Sequence, residues 1–212
     1  MTRLLDVGLE QLTVMVYKSG EVAENAINMS IRGFMQGKDA TEAVRELSDI
    51  LGTMTVEIEN KAFELIVKYQ PVASDLRIIN SYMKISYDFE RYGRYAWDIS
   101  FTQQKLAELG KCAGSSDLMQ KLVEKVSEMV SKSVEALKQH DAELAKSLAV
   151  TETEVDELYS AYLNQLSKVR GQNKLVMCNL LVSRYLERIA DHTTYVGEAI
   201  VYIVTGEKIS LR

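Results

Sequence analysis

The sequence is poor in the residues that interrupt helices and in those that build disulfide frameworks. Its 212 residues include one proline, eleven glycines and two cysteines, Cys112 and Cys178, which lie far apart. So little proline and glycine, without alternating strand patterns, favours long helices. Two isolated cysteines indicate reduced structural thiols rather than a zinc or redox motif.

Two further absences narrow the class of protein. No apolar run reaches the roughly 18 uninterrupted residues that a membrane-spanning helix requires, and the first six residues lack the basic and then apolar plan of a signal peptide. The net charge is −5 and no lysine or arginine cluster is present, which argues against a nucleic-acid partner. We therefore expect a cytoplasmic protein that is not embedded in a membrane.

Helical periodicity and a few breakers predict six helices. Pro71 ends the second helix, because proline disfavours helix at its own position and at the residue before it. Gly171 ends the fifth helix, and a short segment with glycine and serine, residues 110–116, is the candidate linker. The predicted helices cover residues 4–36, 40–69, 73–109, 117–139, 141–170 and 174–204.

Short motifs recur along the chain at a constant distance. Glu90-Arg91 returns as Glu187-Arg188, 97 residues later, and Glu57-Ile-Glu59 returns as Glu154-Val-Asp156 at the same distance. The duplication predicts an all-α fold of two tandem repeated antiparallel three-helix bundles. The predicted units are residues 1–110 and 115–212.

Three carboxylates share one face of the sixth helix. Steps of four and eleven residues return to nearly the same face of a helix, so Glu187, Asp191 and Glu198 point in one direction. The facing fifth helix can add Glu154 and Asp156. Hard oxygen ligands of this kind suit Mg, Mn, Ca or iron. The pattern indicates a metal site, with ion pairs to neighbouring arginines as the alternative.

The first half departs from this pattern at one position. Arg94 stands where the repeat would place the equivalent of Asp191, with Glu90 and Asp98 one turn to either side. Both acids can pair with Arg94 at i,i+4 spacing. We therefore expect the first half to bind metal weakly or not at all.

Three stretches carry a family resemblance when they are taken together. They are Gln70–Arg77 (QPVASDLR), Lys84–Arg94 (KISYDFERYGR) and Leu186–Thr193 (LERIADHT), the last followed by Glu198–Gly206. With the repeat and the Asp141–Ala145 opening of the fifth helix, they make essentially the whole chain resemble the PhoU family, which regulates phosphate uptake and phosphate signalling.

The resemblance implies two three-helix repeats with metal clusters at Glu-x-x-x-Asp motifs. Carried onto this sequence, it nominates Glu187 and Asp191 as ligands, with Glu198 as a third. In the first half only Glu90 and Asp98 remain, because Arg94 replaces the acid. The implied cofactor is a divalent or ferric ion, that is Fe, Zn, Mg or Mn.

The resemblance also implies a function without a chemical step. Such an adaptor would connect subunits of a phosphate ABC transporter to a sensor histidine kinase and would form a homodimer. A paralogue that regulates another transporter, a bare structural bundle and a di-iron carboxylate oxidase stay open as alternatives. Di-iron sites use Glu-x-x-His pairs, and no glutamate precedes His140 or His192 by three residues, which counts against the oxidase. His192 is expected to face a partner or to support the metal site.

Overall fold

The computed structural model describes residues 3–106, 116–171 and 173–212. Within these ranges the chain forms six helices and no strand, so the all-α prediction is confirmed. The helices are α1 (Leu4–Gln36), α2 (Thr41–Tyr69), α3 (Ala73–Leu106), α4 (Asp117–Gln139), α5 (Ala142–Leu166) and α6 (Asn173–Thr205).

One predicted helix end was wrong. Helix α5 ends at Leu166, not at Arg170, although no glycine or proline lies between Leu166 and Gly171. The amides of Lys168 and Val169 donate to carbonyls three residues back, at 3.2 and 3.1 Å, instead of four. This tightening of the last turn ends the α-helix before the glycine is reached. The predicted end of the third helix at 109 lies outside the described residues, as do residues 110–115 of the predicted linker 110–116, Cys112 among them. Ser116, the last residue of that linker, is the N-cap residue of α4.

Left-handed residues end several helices and make short turns possible. Gly37 closes α1 with φ 66°, a conformation that glycine adopts without steric cost. Gln70 closes α2 with φ 46°, directly before Pro71. His140 closes α4 with φ 51°, and the Asp141 carboxylate then accepts two backbone N–H groups, both at 2.9 Å, to cap α5.

The helices pack as two units of three that share one broad contact. Helices α1, α2 and α3 pack on one another and form the first unit, and α4, α5 and α6 form the second unit. The units meet where α3 packs against α6 and α1 against α4. Helix α6 is therefore covered by α4 and α5 on one side and by α3 on the other, which makes it the most central helix of the second unit. The predicted boundaries at 110 and 115 fall outside the described residues and stay predictions.

Polar contacts join the two units. The hydroxyl of Tyr92 lies 3.1 Å from that of Ser133 on α4, and the hydroxyl of Tyr82 lies 3.1 Å from Nε2 of His140. Tyr92 is fully buried, so its hydroxyl depends on that partner. The contact between the units is thus specified by polar groups as well as by apolar packing.

Candidate cation site on helices α5 and α6

Four carboxylates meet where α5 packs against α6, and we call them the acidic cluster: Glu152, Asp156, Glu187 and Asp191. Each helix contributes two of them one turn apart, at i,i+4 spacing. Glu152, Glu187 and Asp191 are 7%, 8% and 1% exposed, whereas Asp156 lies at the exposed rim. Burial of so much negative charge is costly unless cations or hydrogen bonds compensate for it.

Arginines from two parts of the chain supply part of that compensation. On α6 itself, Arg184 donates from Nη1 to Oε1 of Glu187 at 2.6 Å, and Arg188 donates from Nη1 to Oδ2 of Asp191 at 2.9 Å. The other oxygen of Asp191 accepts a hydrogen bond from Nη2 of Arg212. Oε2 of Glu187 is buried and has no hydrogen-bond partner, so one carboxylate oxygen of the cluster is left without a donor.

The electrostatic effect of the cluster is visible in two of its members. Burial raises the pKa of Glu152, and the nearby Asp156 and Asp191 raise it further, while Arg212 opposes them. Burial likewise raises the pKa of Glu187, with Asp191 and Asp156 adding to the effect. The arginines therefore offset only part of the negative charge, and an additional cation would be favoured here.

A segment that follows α6 completes this region. Gly206, with φ 79°, lies just after the helix, and residues 207–212, which we call the strap, run back along α6. The backbone N–H of Leu211 donates to Oε1 of Glu198 at 2.9 Å, and the Leu211 side chain is buried. This path brings Arg212 to the acidic cluster, 21 residues after Asp191 in the sequence.

The residue types of the cluster fit a hard metal ion, but their present arrangement does not hold one. Carboxylate oxygens suit Mg, Mn or iron better than zinc, which is usually bound by nitrogen and sulfur. Both oxygens of Asp191 and one of Glu187 are engaged by guanidinium groups. In the described ranges, no three acidic, histidine or cysteine side chains form a group that could hold a metal ion. A metal ion at this place therefore requires a guanidinium to move away.

Two other candidate ligands of the second half, Glu154 and Glu198, lie apart from the acidic cluster. Glu154 is 46% exposed and pairs with Lys125 of α4 at 2.6 Å. Glu198 is half-buried and holds the strap through the Leu211 amide. Of the predicted residues, the structure brings together Glu187, Asp191 and Asp156.

In the first half, Glu90 and Asp98 are both half-buried on α3, and Arg94 between them is exposed. Within the described residues Arg94 forms no ion pair with either acid. Burial raises the pKa of Asp98, and Arg94 and Arg91 oppose this from a longer distance. The predicted pairing of Arg94 with both acids was therefore wrong, because its side chain points to solvent.

Sequence analysis overlooked Glu152, although a signal for it was present. Glu152 and Asp156 repeat the i,i+4 spacing of Glu187 and Asp191. The 97-residue echo had drawn attention to Glu154, which lies two residues along α5 and so points about 200° away from Glu152.

His192 does not face a partner surface, which was one of the two places expected for it. It is buried within the contact between the two units, not on a partner-facing surface. Its Nδ1 lies 2.7 Å from Oδ1 of Asp88 on α3, and its ring packs between those of Tyr95 and Tyr195 at 5.6 and 5.3 Å. The pair ties α6 to α3 directly beside the acidic cluster.

An open cavity of about 520 Å³ lies next to the hydrogen-bonded pair of Asp88 and His192. Its walls come from α2, α3, α6 and the strap, and include Lys84, Tyr87, Glu198, Tyr202 and Ile209. The strap therefore borders both the acidic cluster and this cavity.

Comparison with known proteins identifies the same architecture in both halves. The family model described as the PhoU domain matches residues 16–101 and again residues 119–200. A relative from Clostridium acetobutylicum, described as a phosphate-specific transport system accessory protein PhoU homolog, is 32% identical over 221 aligned positions, which cover 100% of this chain and 99% of the relative. A homolog of the same description from Pseudomonas aeruginosa is 27% identical and covers 95% of this chain and 85% of its own length.

Solved structures agree with this comparison. The crystal structure of PhoU from P. aeruginosa matches with a TM-score of 0.90 at 27% identity, covering 95% of this chain and 99% of that one. PhoU from Streptococcus pneumoniae matches in fold with a TM-score of 0.86 at 22% identity, over 97% and 99% of the two chains. Among the described helices, none has the length and apolar character needed to cross a membrane. With its PhoU domain in each half, the chain belongs to the PhoU family.

Proposed function

We propose that this chain is a regulatory accessory protein of a phosphate-specific transport system and that it catalyses no reaction. The observation that carries the proposal is the PhoU domain in each half, together with a relative of that description that matches over nearly the full length of both chains. A regulator of this kind works by binding, and a rigid pair of helical units suits binding better than chemistry.

The partners that we propose are subunits of a phosphate ABC transporter and a sensor histidine kinase. We also propose that the protein acts in the cytoplasm as a homodimer. Support for these points comes from the family resemblance, and size-exclusion chromatography with light scattering would measure the oligomeric state directly.

A cation at the acidic cluster is the second part of the proposal. Glu152, Glu187 and Asp191 would hold it, and the free Oε2 of Glu187 offers the first oxygen. A bound Mg, Mn or iron ion would neutralise the charge that the arginines leave uncompensated and would fix α5 against α6. We include Glu152 and not Glu154, since Glu154 pairs with Lys125 away from the cluster.

Deletion of the gene in its source organism tests the regulatory role. Uptake of radiolabelled phosphate would be measured in phosphate-rich medium, with and without a plasmid that restores the wild-type chain. We expect uptake to stay high in the deletion strain and to fall again on complementation. Phosphate uptake that is the same in all strains would overturn the proposal.

The comparisons do not favour the alternatives. Relatives of this chain are described as accessory proteins of phosphate transport, which supports neither regulation of another transporter nor an oxidase. The deletion strain also separates the first of these, because a regulator of another transporter would alter uptake of a different solute and leave phosphate uptake unchanged.

A further inference from the structure

We infer that the guanidinium of Arg212 is the built-in cation of the acidic cluster, and that binding of a divalent cation there releases the strap from the face of α6. The inference rests on the proposed cation site and adds a mechanism that makes occupancy of that site visible at the protein surface. It is carried by the contacts of Arg212, by the way the strap is held, and by the cavity that the strap borders.

Arg212 makes more contacts with the cluster than a surface arginine would. Its Nη2 donates to Oδ1 of Asp191, and its Nε lies 3.8 Å from Oε1 of Glu152. Its Nη1 donates to the hydroxyl of Tyr195, while its Cζ lies 5.3 Å from the centre of that ring. A single guanidinium thus bridges the carboxylates of α5 and α6, which is the bridge that a metal ion would also make.

Arg212 is also the arginine that can leave most easily. Arg184 and Arg188 belong to α6 and reach acids three residues further along their own helix, so they stay near the cluster whatever is bound there. Arg212 belongs to the strap, whose other residues Glu207, Lys208 and Ser210 are exposed. The anchors of the strap besides Arg212 include the Leu211 amide on Glu198, the buried Leu211 side chain and the partly buried Ile209. The Nζ of Lys208 also lies 5.5 Å from the centre of the Tyr202 ring.

Release of the strap changes the surface next to the contact between the units. Lys208 and Ile209 line the cavity between α3 and α6, and the Leu211 side chain covers Gly197, where an added Cβ would come within 3.0 Å of it. Departure of Arg212 would open one wall of the cavity and expose the apolar side chains of Ile209 and Leu211. The level of the cation would thereby control which surface a partner meets.

Competition for one site predicts a definite direction of change. If Arg212 must leave before a divalent cation binds, removal of its charge strengthens cation binding, because the cation no longer displaces a bound group. Coupling of this kind typically changes affinity by about 5- to 150-fold, and we expect about 10-fold for Arg212→Gln. Arg212→Lys keeps the charge but loses the forked geometry of the guanidinium. Its affinity for the cation should therefore lie between those of the wild type and Arg212→Gln.

Titration calorimetry with Mn²⁺ on the full chain tests this direction. Lys208→Gln is the matched control, because it removes one positive charge from the same strap without touching the cluster. We expect tighter binding for Arg212→Gln and no change for Lys208→Gln. Equal affinities for the wild type and Arg212→Gln would overturn the inference and leave the cation site standing, whereas absence of Mn²⁺ binding in every variant would remove both.

Hydrogen exchange monitored by mass spectrometry gives a readout that does not depend on affinity. The bond of the Leu211 amide to Glu198 should protect that amide from exchange in the cation-free wild type. We expect saturating Mn²⁺ to remove that protection, and Arg212→Gln to show reduced protection before any cation is added. Protection of residues 207–212 that is unchanged by Mn²⁺ would overturn the inference even if Mn²⁺ binds.

Discussion

In the second unit, α5 and α6 place four carboxylates side by side, whereas a shift of 97 residues brings other side chains to the matching positions of the first unit. The second unit has Glu152, Asp156, Glu187 and Asp191, and the first unit has Thr55, Glu59, Glu90 and Arg94. Thr55 is buried and donates from its hydroxyl to the carbonyl of Ser86 at 3.2 Å. A neutral hydrogen bond thus stands in the first unit where the second buries a carboxylate.

This difference shows that the repeated scaffold does not require the acidic cluster. Both units fold as three packed helices, although among the described residues buried acids gather between the last two helices of the second unit alone. The three-helix fold therefore does not require the buried negative charge of the cluster, and we assign that charge to cation binding. Of the four predictions that follow, the first tests this assignment and has the largest expected effect, and the other three test further differences between the units.

The acids of the two units should differ most in cation binding. We expect the double variant Glu187→Gln/Asp191→Asn to weaken Mn²⁺ binding by more than about 10-fold, because even changes around metal ligands commonly cost 10- to 100-fold. The matched variant Glu90→Gln/Asp98→Asn in the first unit should leave binding unchanged. Titration calorimetry on both double variants measures the change. An equal loss of Mn²⁺ affinity in the two would contradict the assignment of the cation site to the second unit.

A glycine in the first unit and an alanine in the second occupy matching positions. A Cβ at Gly93 would lie 2.5 Å from Cδ1 of Leu51 and 3.3 Å from Cα of Ser48, and Leu51 is fully buried. We expect Gly93→Ala to lower the free energy of unfolding by about 1–3 kcal/mol through overpacking. Ala190→Gly should cost only about 1 kcal/mol, the helix-propensity difference.

Urea denaturation measures both changes. Gly93→Ala as stable as the wild type would show that α2 and α3 can separate slightly without cost, and that the two positions are not specialised.

Two contacts related by the repeat join the units, and they differ in chemistry. Asp88 and His192 form a hydrogen-bonded pair, and the shift by 97 residues relates them to Tyr185 and Tyr95, whose rings stack at 6.3 Å. Asp88→Ala leaves a buried imidazole nitrogen without its partner, and we expect a loss of about 1–3 kcal/mol in the free energy of unfolding. Tyr185→Leu removes the ring contact, worth about 0.5–1.5 kcal/mol, together with the interaction of the Tyr185 hydroxyl with Thr102.

A double-mutant cycle with Asp88→Ala and His192→Ala isolates the polar pair. Additive effects of the two substitutions would mean that the hydrogen bond contributes nothing to the contact between the units.

The smallest expected effect is a pH dependence at the end of α4. Burial lowers the pKa of His140 below its usual 6.5, while Tyr17 and Tyr82 of the first unit lie beside its Nε2. Below pH 6.5 the unfolded chain then binds more protons than the folded one, so the free energy of unfolding falls as the pH drops below this value. Because much of His140 is exposed, the change is small.

Urea midpoints above and below that pH, for the wild type and His140→Asn, measure the effect. Asparagine tolerates the left-handed conformation of this position, so the variant should fold while losing this part of the pH dependence. An identical pH dependence in the two proteins would contradict the assignment to His140.

Local signals were enough to predict the helices, while the candidate site depended on packing. Helical periodicity and breakers such as Pro71 predict the six helices, because each is a property of neighbouring residues. The burial of His192 could not be predicted, since periodicity along α6 does not reveal that α3 covers that face. Arg212 lies in a segment without periodicity, and its approach to Asp191 follows from the path of the strap.

The buried contact between α3 and α6 also bears on how such a duplicated chain evolves. Once the two copies were fused, each supplied the cover for the apolar face of the other, so neither could be lost without exposing it. The two repeats can therefore differ at the acidic positions, with Thr55 and Arg94 in the first unit, while both keep three packed helices. In a fused duplication of this kind, the proposed cation site can belong to one unit while the other unit supports it.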